Sequence, residues 1–172
     1  MKKVLSAVAL FAVVLFAGCG GQQQKTSADY LTKQTKGWVL TAATSDPAYV
    51  MKSGERITDI YNDGYLKDFE RDYILIFQEN GSLIVKPGKH VAPSAQEGYT
   101  AETNIGTWKI TTDLVYGEIL TCQIPFFYDT EEEVCRIVSI NDKEMNLNCT
   151  IDDEDPAAKA IYTFRMKFEP AK

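Results

Sequence analysis

Four cysteines and a single histidine are the residues best suited to covalent or metal chemistry in this chain. A cysteine nucleophile needs a base within hydrogen-bond reach. Cys122, Cys135 and Cys149 stand far along the chain from His90, and nothing in their spacing brings a thiol and the imidazole together. The three are expected as buried, reduced side chains that pack like small apolar residues. One histidine also removes most zinc sites and most imidazole catalysis. The string from Asp59 to Glu70 matches a calcium loop at its first, fifth, sixth, eighth and twelfth positions. Tyr61 and Lys67 stand where further oxygen ligands belong, and the residues after Glu70 alternate like a strand rather than an exiting helix. A loop with an Asn-Asp-Gly turn is expected there, with no metal. Asp152 to Asp155 and Asp129 to Glu133 read as solvated acidic connections that discourage aggregation. No Gly-rich phosphate loop and no G-x-S-x-G elbow occurs, so no enzyme activity and no cofactor is expected.

The remaining cysteine, Cys19, has a different setting. Met1-Lys2-Lys3 is a short positive segment, and Val4 to Ala17 is apolar but for one serine. That is the pattern of a secretory signal and is short for a membrane span. Phe16-Ala17-Gly18-Cys19 resembles the lipobox of bacterial lipoproteins, with phenylalanine where leucine is commoner. The resemblance implies cleavage before Cys19, lipidation of its sulfur and acylation of its new amine. Residues 1–18 then form a signal peptide, 19–27 a lipidated cysteine with a flexible polar tether, and 28–172 the folded domain. Gly20 stands where an aspartate can retain a lipoprotein at the inner membrane, so the resemblance implies a palmitoylated protein of the outer membrane.

The whole chain carries a net charge of −6; without residues 1–18, which hold two lysines and no acid, it is −8 over 154 residues. This acidity argues against nucleic acid, whose binding is driven by neutralising phosphates. It argues equally against a polybasic membrane face. The membrane partner is expected through the lipid anchor alone.

The elements that must position any site are strands. Ser27 is expected to cap a short helix running to about Lys36. Beyond it the hydrophobic period is two: Trp38 and Leu40; Tyr73, Leu75 and Phe77; Leu83 and Val85; Trp108 and Ile110; Leu120, Cys122 and Ile124; Val134 to Ile140; Met145, Leu147, Cys149 and Ile151; Tyr162, Phe164, Met166 and Phe168. Eight such strands with mostly short connections exclude a parallel sheet with helical crossovers. They predict an all-β, eight-stranded antiparallel up-and-down barrel with a short N-terminal helix, a two-sheet sandwich being the alternative. Three connections are long: 45–71, where Ile57, Ile60 and Tyr61 have helical spacing, 87–104, and 125–133. Pairing Ile140 with Met145 in an unbroken hairpin sets Cys149 opposite Arg136. Cys135 then faces away from Cys149, which disfavours a bridge between them.

Several segments taken in order resemble the small lipocalin-like domains of Gram-negative lipoproteins. They are Gly37-Trp38-Val39-Leu40, Ile57-Thr58-Asp59-Ile60-Tyr61, Asp72 to Ser82, Gly106-Thr107-Trp108 and the hairpin from Ile137 to Leu147. The resemblance covers most of residues 37–168 and implies a calyx-type barrel of eight strands. Two departures stand out. The first-strand G-x-W is contracted to Gly37-Trp38, and Phe69 and the neighbourhood of Val91 occupy places where relatives often carry cysteines.

Trp38, Tyr73, Phe77, Trp108, Tyr116, Tyr162 and Phe164 are candidates to line the interior, with Phe126 and Phe127 at the mouth. Such rings suit a small, largely apolar ligand. The expected function is a non-enzymatic, membrane-anchored lipocalin-like binder. The alternative is an envelope module with a filled barrel that binds a protein or glycan through its outer surface, with exposed Phe126 and Phe127 as a contact patch.

Overall fold

The computed structural model describes residues 25–126, 132–152 and 160–172. These form α1 (Ser27–Lys33), β1 (Trp38–Val50), β2 (Arg56–Asp59), α2 (Asp68–Arg71), β3 (Ile74–Phe77), β4 (Ser82–Lys86), β5 (Thr103–Asp113), β6 (Gly117–Cys122), β7 (Glu133–Ile140), β8 (Met145–Asp152) and β9 (Ile161–Pro170). From β3 to β9 each strand pairs antiparallel with the next in the chain. The long first strand closes the ring. It pairs with β9 from Trp38↔Pro170 to Asp46↔Thr163, and on its other edge with β3 at Trp38↔Leu75. That double pairing decides for a closed eight-stranded up-and-down barrel over a sandwich.

The ninth strand, β2, extends the wall rather than adding to the ring. It pairs with the far end of β1 (Tyr49↔Ile57, Val50↔Arg56), on the same edge that β3 uses at the near end. The expected helical turn around Ile57 and Ile60 is therefore replaced. Ile57 is buried from a strand, Ile60 is buried from the turn after it, and the short helix of this connection is α2. In so short a strand, two inward side chains three residues apart imitate one turn of a helix.

The N-terminal helix starts one residue earlier than the Ser27 cap predicts. Thr26 is the cap, its hydroxyl accepting from the Asp29 N–H while the Asp29 carboxylate accepts from the Thr26 N–H. This reciprocal pair satisfies donors that a helix start leaves free. Leu31 of α1 is fully buried, and its carbonyl accepts from the Trp38 indole at 3.2 Å, so helix and first strand together plug one end of the barrel.

Inward residues follow the two-residue period. Leu83 and Val85, Leu120 and Cys122, Met145, Leu147 and Cys149, and Tyr162, Phe164, Met166 and Phe168 are all buried. Each fully buried aromatic removes enough apolar surface from water to contribute about 2–3 kcal/mol.

The one break in the alternation lies in β7. Ile140 does pair with Met145, and Ser139 with Asn146, but Ile137 pairs with Leu147. One extra residue, Val138, sits in a β-bulge. The bulge resets the pleat, so Cys135 and Ile137 both face inward while Val138 and Ser139 face out. Cys135 therefore lies directly opposite Cys149, with Cα atoms 4.2 Å apart, and the two form a disulfide. This corrects the expectation from an unbroken hairpin, in which Cys135 pointed away. Cys122 remains a buried free thiol.

Candidate functional site

The topology sorts the connections by length. The turns at 78–81, 114–116 and 141–144 lie at the end plugged by α1. The opposite end, the mouth, receives the 51–73 and 87–102 segments, the end of β6 and start of β7, and the end of β8 and start of β9. The 45–71 and 87–104 connections expected from the sequence converge there, with the two described ends of the 125–133 connection.

Two groups of rings occupy the mouth half. In the first, Tyr49 at the end of β1 meets Tyr65 at 5.2 Å, Tyr162 at 4.9 Å and Phe164 at 5.7 Å, all edge-on, and Tyr65 meets Phe164 at 5.8 Å. Edge-to-face contacts of this kind add to plain burial. In the second, Tyr73 at the start of β3 is surrounded by Phe69, Tyr99 and Phe126, with centroids 6.1, 5.4 and 6.4 Å away. Phe126 continues the stack to Phe168 at 6.3 Å. The Tyr73 hydroxyl accepts from the Tyr99 N–H at 2.9 Å, which pins the 87–102 connection over the barrel. Burial holds the phenols of Tyr73 and Tyr99 above their ordinary acidity range, so both stay protonated and polar but uncharged near neutrality.

Small residues make these contacts possible. A Cβ on Gly98 would collide with the Tyr73 hydroxyl and come within 2.8 Å of a Phe69 ring carbon and 3.0 Å of the Ala92 Cβ. Phe69 and Ala92 are themselves buried. Phe69 and the neighbourhood of Val91 are the places where the family resemblance anticipates cysteines. Here the same two segments meet through apolar packing around Gly98.

The expected site residues divide by position. Trp38 is buried at the plugged end, not at the mouth, while Tyr73, Tyr162 and Phe164 are buried in the mouth clusters. Phe77 is buried against half-buried Trp108 at 5.8 Å, whose indole donates to the Gln78 carbonyl at 3.0 Å near the plugged end. Tyr116 does not line the interior. It is 60% exposed at the β5–β6 turn, because the strand pattern ends at Asp113 and a turn intervenes. Phe126 is 2% exposed, packed between Tyr73 and Phe168, and so forms no exposed contact patch. Phe127 and Cys19 lie outside the described residues, as do most of the two acidic connections. Tyr49, Tyr65 and Tyr99 were not anticipated as site residues. They sit at the end of a strand or in long connections, and the one available signal was the accumulation of tyrosine in segments bound for the same end.

The other chemical candidates are engaged elsewhere. Burial pushes the Cys122 thiol up to about 12, so it is protonated and a poor nucleophile at neutral pH. His90 takes Asp72 as partner, its Nδ1 2.5 Å from the carboxylate that also accepts the His90 N–H at 2.8 Å, and so ties the 87–102 connection to the start of β3. Asp59 accepts from the backbone and side chain of Asn62, which draws its carboxyl below the usual carboxylate range. The Glu70 carboxylate, buried, accepts from the Lys67 N–H at the start of α2. These two acids of the calcium-like string thus serve a turn and a helix cap. Two concave regions lie on the outside of the wall. One, of about 670 Å³, is between the start of α1 and the bulged part of β7; the other, of about 310 Å³, is on the outer face of β1, β9 and β8.

No family model and no curated protein sequence matches the chain. Among solved structures, a complex of bovine odorant binding protein with undecanal is similar at a TM-score of 0.39 and 13% identity, over 83% of this chain and 74% of that one.

Proposed function

We propose that this chain is an outer-membrane lipoprotein, held by acylated Cys19, whose barrel is a non-enzymatic binder of a small, largely apolar ligand taken at the mouth. The observation that carries the reading is the distribution of tyrosine. Tyr49, Tyr61, Tyr65 and Tyr99 are each half-buried, pack against the core and come from the mouth end. A half-buried tyrosine offers an apolar face to a ligand and a polar tip to orient it. The lipobox resemblance at Phe16–Cys19 supports the anchor, and the acidic body supports the exclusion of nucleic acid as partner. The barrel below the rings is occupied by buried side chains in mutual contact, so a ligand rests against the half-buried mouth rings rather than filling a deep calyx. The alternative, an envelope module with a filled barrel that binds a protein or glycan through its outer surface, keeps the packed interior but not Phe126 as its contact patch, because Phe126 is buried; Phe127 lies outside the described residues.

Titration with an environment-sensitive naphthylamine dye tests the site. Bright, saturable emission is expected from the purified protein, weakened about tenfold by Tyr65→Ala, which deletes a ring worth roughly 1–2 kcal/mol of contact. Tyr116→Ser, remote from the mouth, should leave it unchanged. Absent emission, or equal loss in both variants, would refute the mouth as the site.

A further inference from the structure

The β5–β6 hairpin ends in three consecutive apolar side chains that stand in solvent. Leu114 is 102% exposed, Val115 80% and Tyr116 60%. The other exposed large apolar residues among the described ones are single. The turn does not require them. Asp113 pairs with Gly117 across the hairpin, the Asp113 Oδ1 accepts the N–H groups of Val115 and Tyr116 at 2.7 and 2.8 Å, and Gly117 supplies the left-handed residue at φ +79°. Those flanking residues make a rigid three-residue loop whose own side chains are free to be polar. A contiguous apolar tip on a polar turn marks a contact with something apolar.

The path of the chain indicates what that is. Ser27, the first residue of α1, donates its hydroxyl to the Glu118 carboxylate at 2.5 Å, just beyond the tip. The first described residues, Lys25 to Ser27, therefore lie at the foot of this hairpin. The six residue steps from Cys19 to Lys25 reach at most about 20 Å when fully extended. A lipid on Cys19 would thus hold this corner of the barrel, and not the mouth, close to the bilayer surface. Several charged groups near the corner are already engaged. Asp142 pairs with Lys33 at 2.7 Å and Lys25 at 3.5 Å, and Asp113 and Glu118 accept the hydrogen bonds just described. An attraction to membrane here is apolar, with a tyrosine suited to the interface, rather than polybasic.

We propose that Leu114, Val115 and Tyr116 insert into the lipid interface beside acylated Cys19, fixing the plugged end of the barrel on the membrane and turning the mouth away from it. This rests on the lipoprotein reading above. It adds that the ligand is collected from, or delivered to, the aqueous side rather than the bilayer that holds the anchor.

The test uses the full acylated chain in phosphatidylethanolamine–phosphatidylglycerol vesicles, labelled with an environment-sensitive thiol dye at Val115→Cys or, at the mouth, Gln96→Cys. Cys122 is buried and Cys135 and Cys149 are bridged, so labelling is selective. The 115 label should be blue-shifted and quenched several-fold more than the 96 label by lipids brominated in their acyl chains. Adding Leu114→Ser and Tyr116→Ser should remove that quenching without releasing the protein. Mass spectrometry of Cys19 and vesicle flotation report the anchor separately. An unquenched 115 label on protein that floats and carries the lipid overturns the insertion and leaves the lipoprotein reading standing. An unacylated Cys19 overturns both. A 115 label shielded by a co-purifying protein, and insensitive to brominated chains, overturns the insertion in favour of a protein contact.

Discussion

The Cys135–Cys149 bridge exists only because of the bulge at Val138, so removing it probes the register of the wall. The two cysteines are 14 residues apart. Closing a loop of about that length in the unfolded chain removes entropy worth about 3 kcal/mol at 25 °C. For a domain of this size the loss corresponds to a fall in Tm of about 6–12 °C. Urea denaturation of one preparation, oxidised and reduced, isolates the bridge without changing any side chain. Cys135→Ala/Cys149→Ala, against Cys122→Ala as control, repeats the comparison with the packing cost of lost sulfur included. The reduced protein should unfold at a clearly lower urea midpoint, with a slope no smaller than that of the oxidised protein because its unfolded chain is less constrained. Coincident curves, or a peptide map placing Cys122 in the bridge, would refute the bulged register and restore the hairpin in which Cys135 faces outward.

Burial sets two further outcomes. The Cys122 thiol titrates at about 12 in the folded chain, against an ordinary 9.0, because burial disfavours the thiolate. The folded state therefore keeps a proton that the unfolded state loses. The stabilisation is fully present below pH 9 and is lost as pH rises toward 12, on the order of 4 kcal/mol in all. Cys122→Ala lacks this group, so its stability should fall less steeply than the native chain's between pH 9 and 12, and identical alkaline profiles would contradict it. Gly98→Ala should cost about 1–3 kcal/mol, because its methyl displaces the Tyr73 hydroxyl and strands the Tyr99 N–H. Thermal melts measure the loss, and an unchanged Tm would mean the 87–102 connection is not pinned there.

The sequence made the barrel legible where alternation was strict. In β9, Tyr162, Phe164, Met166 and Phe168 all point inward as the pattern requires, because every second residue on a one-sided strand must be buried. Val138 was opaque, since one valine in a run of apolar residues carries no mark of a bulge. Tyr116 was misplaced for the opposite reason: Leu-Val-Tyr continues the look of a strand. The turn was nevertheless written in its flanks, with aspartate at 113 and glycine at 117. The Thr26–Asp29 capping box was likewise legible three residues apart, one position before the cap expected at Ser27. The mouth was readable only in part. Tyr73, Tyr162 and Phe164 lie in or beside regular strands, whereas Tyr49, Tyr65 and Tyr99 reach it through the closure of β1 on β9 and the path of two long connections. Such placement depends on pairings between distant segments, which local patterns do not encode.

The central claim is that the barrel carries a small apolar ligand at a tyrosine-lined mouth. Native mass spectrometry of the acylated protein, extracted gently from its own membranes, tests it most directly. The expected spectrum shows a second series of peaks displaced by one small molecule, removed by organic extraction and diminished by Tyr65→Ala. A single series at the mass of the acylated chain, or one displaced only by a protein partner, would contradict it.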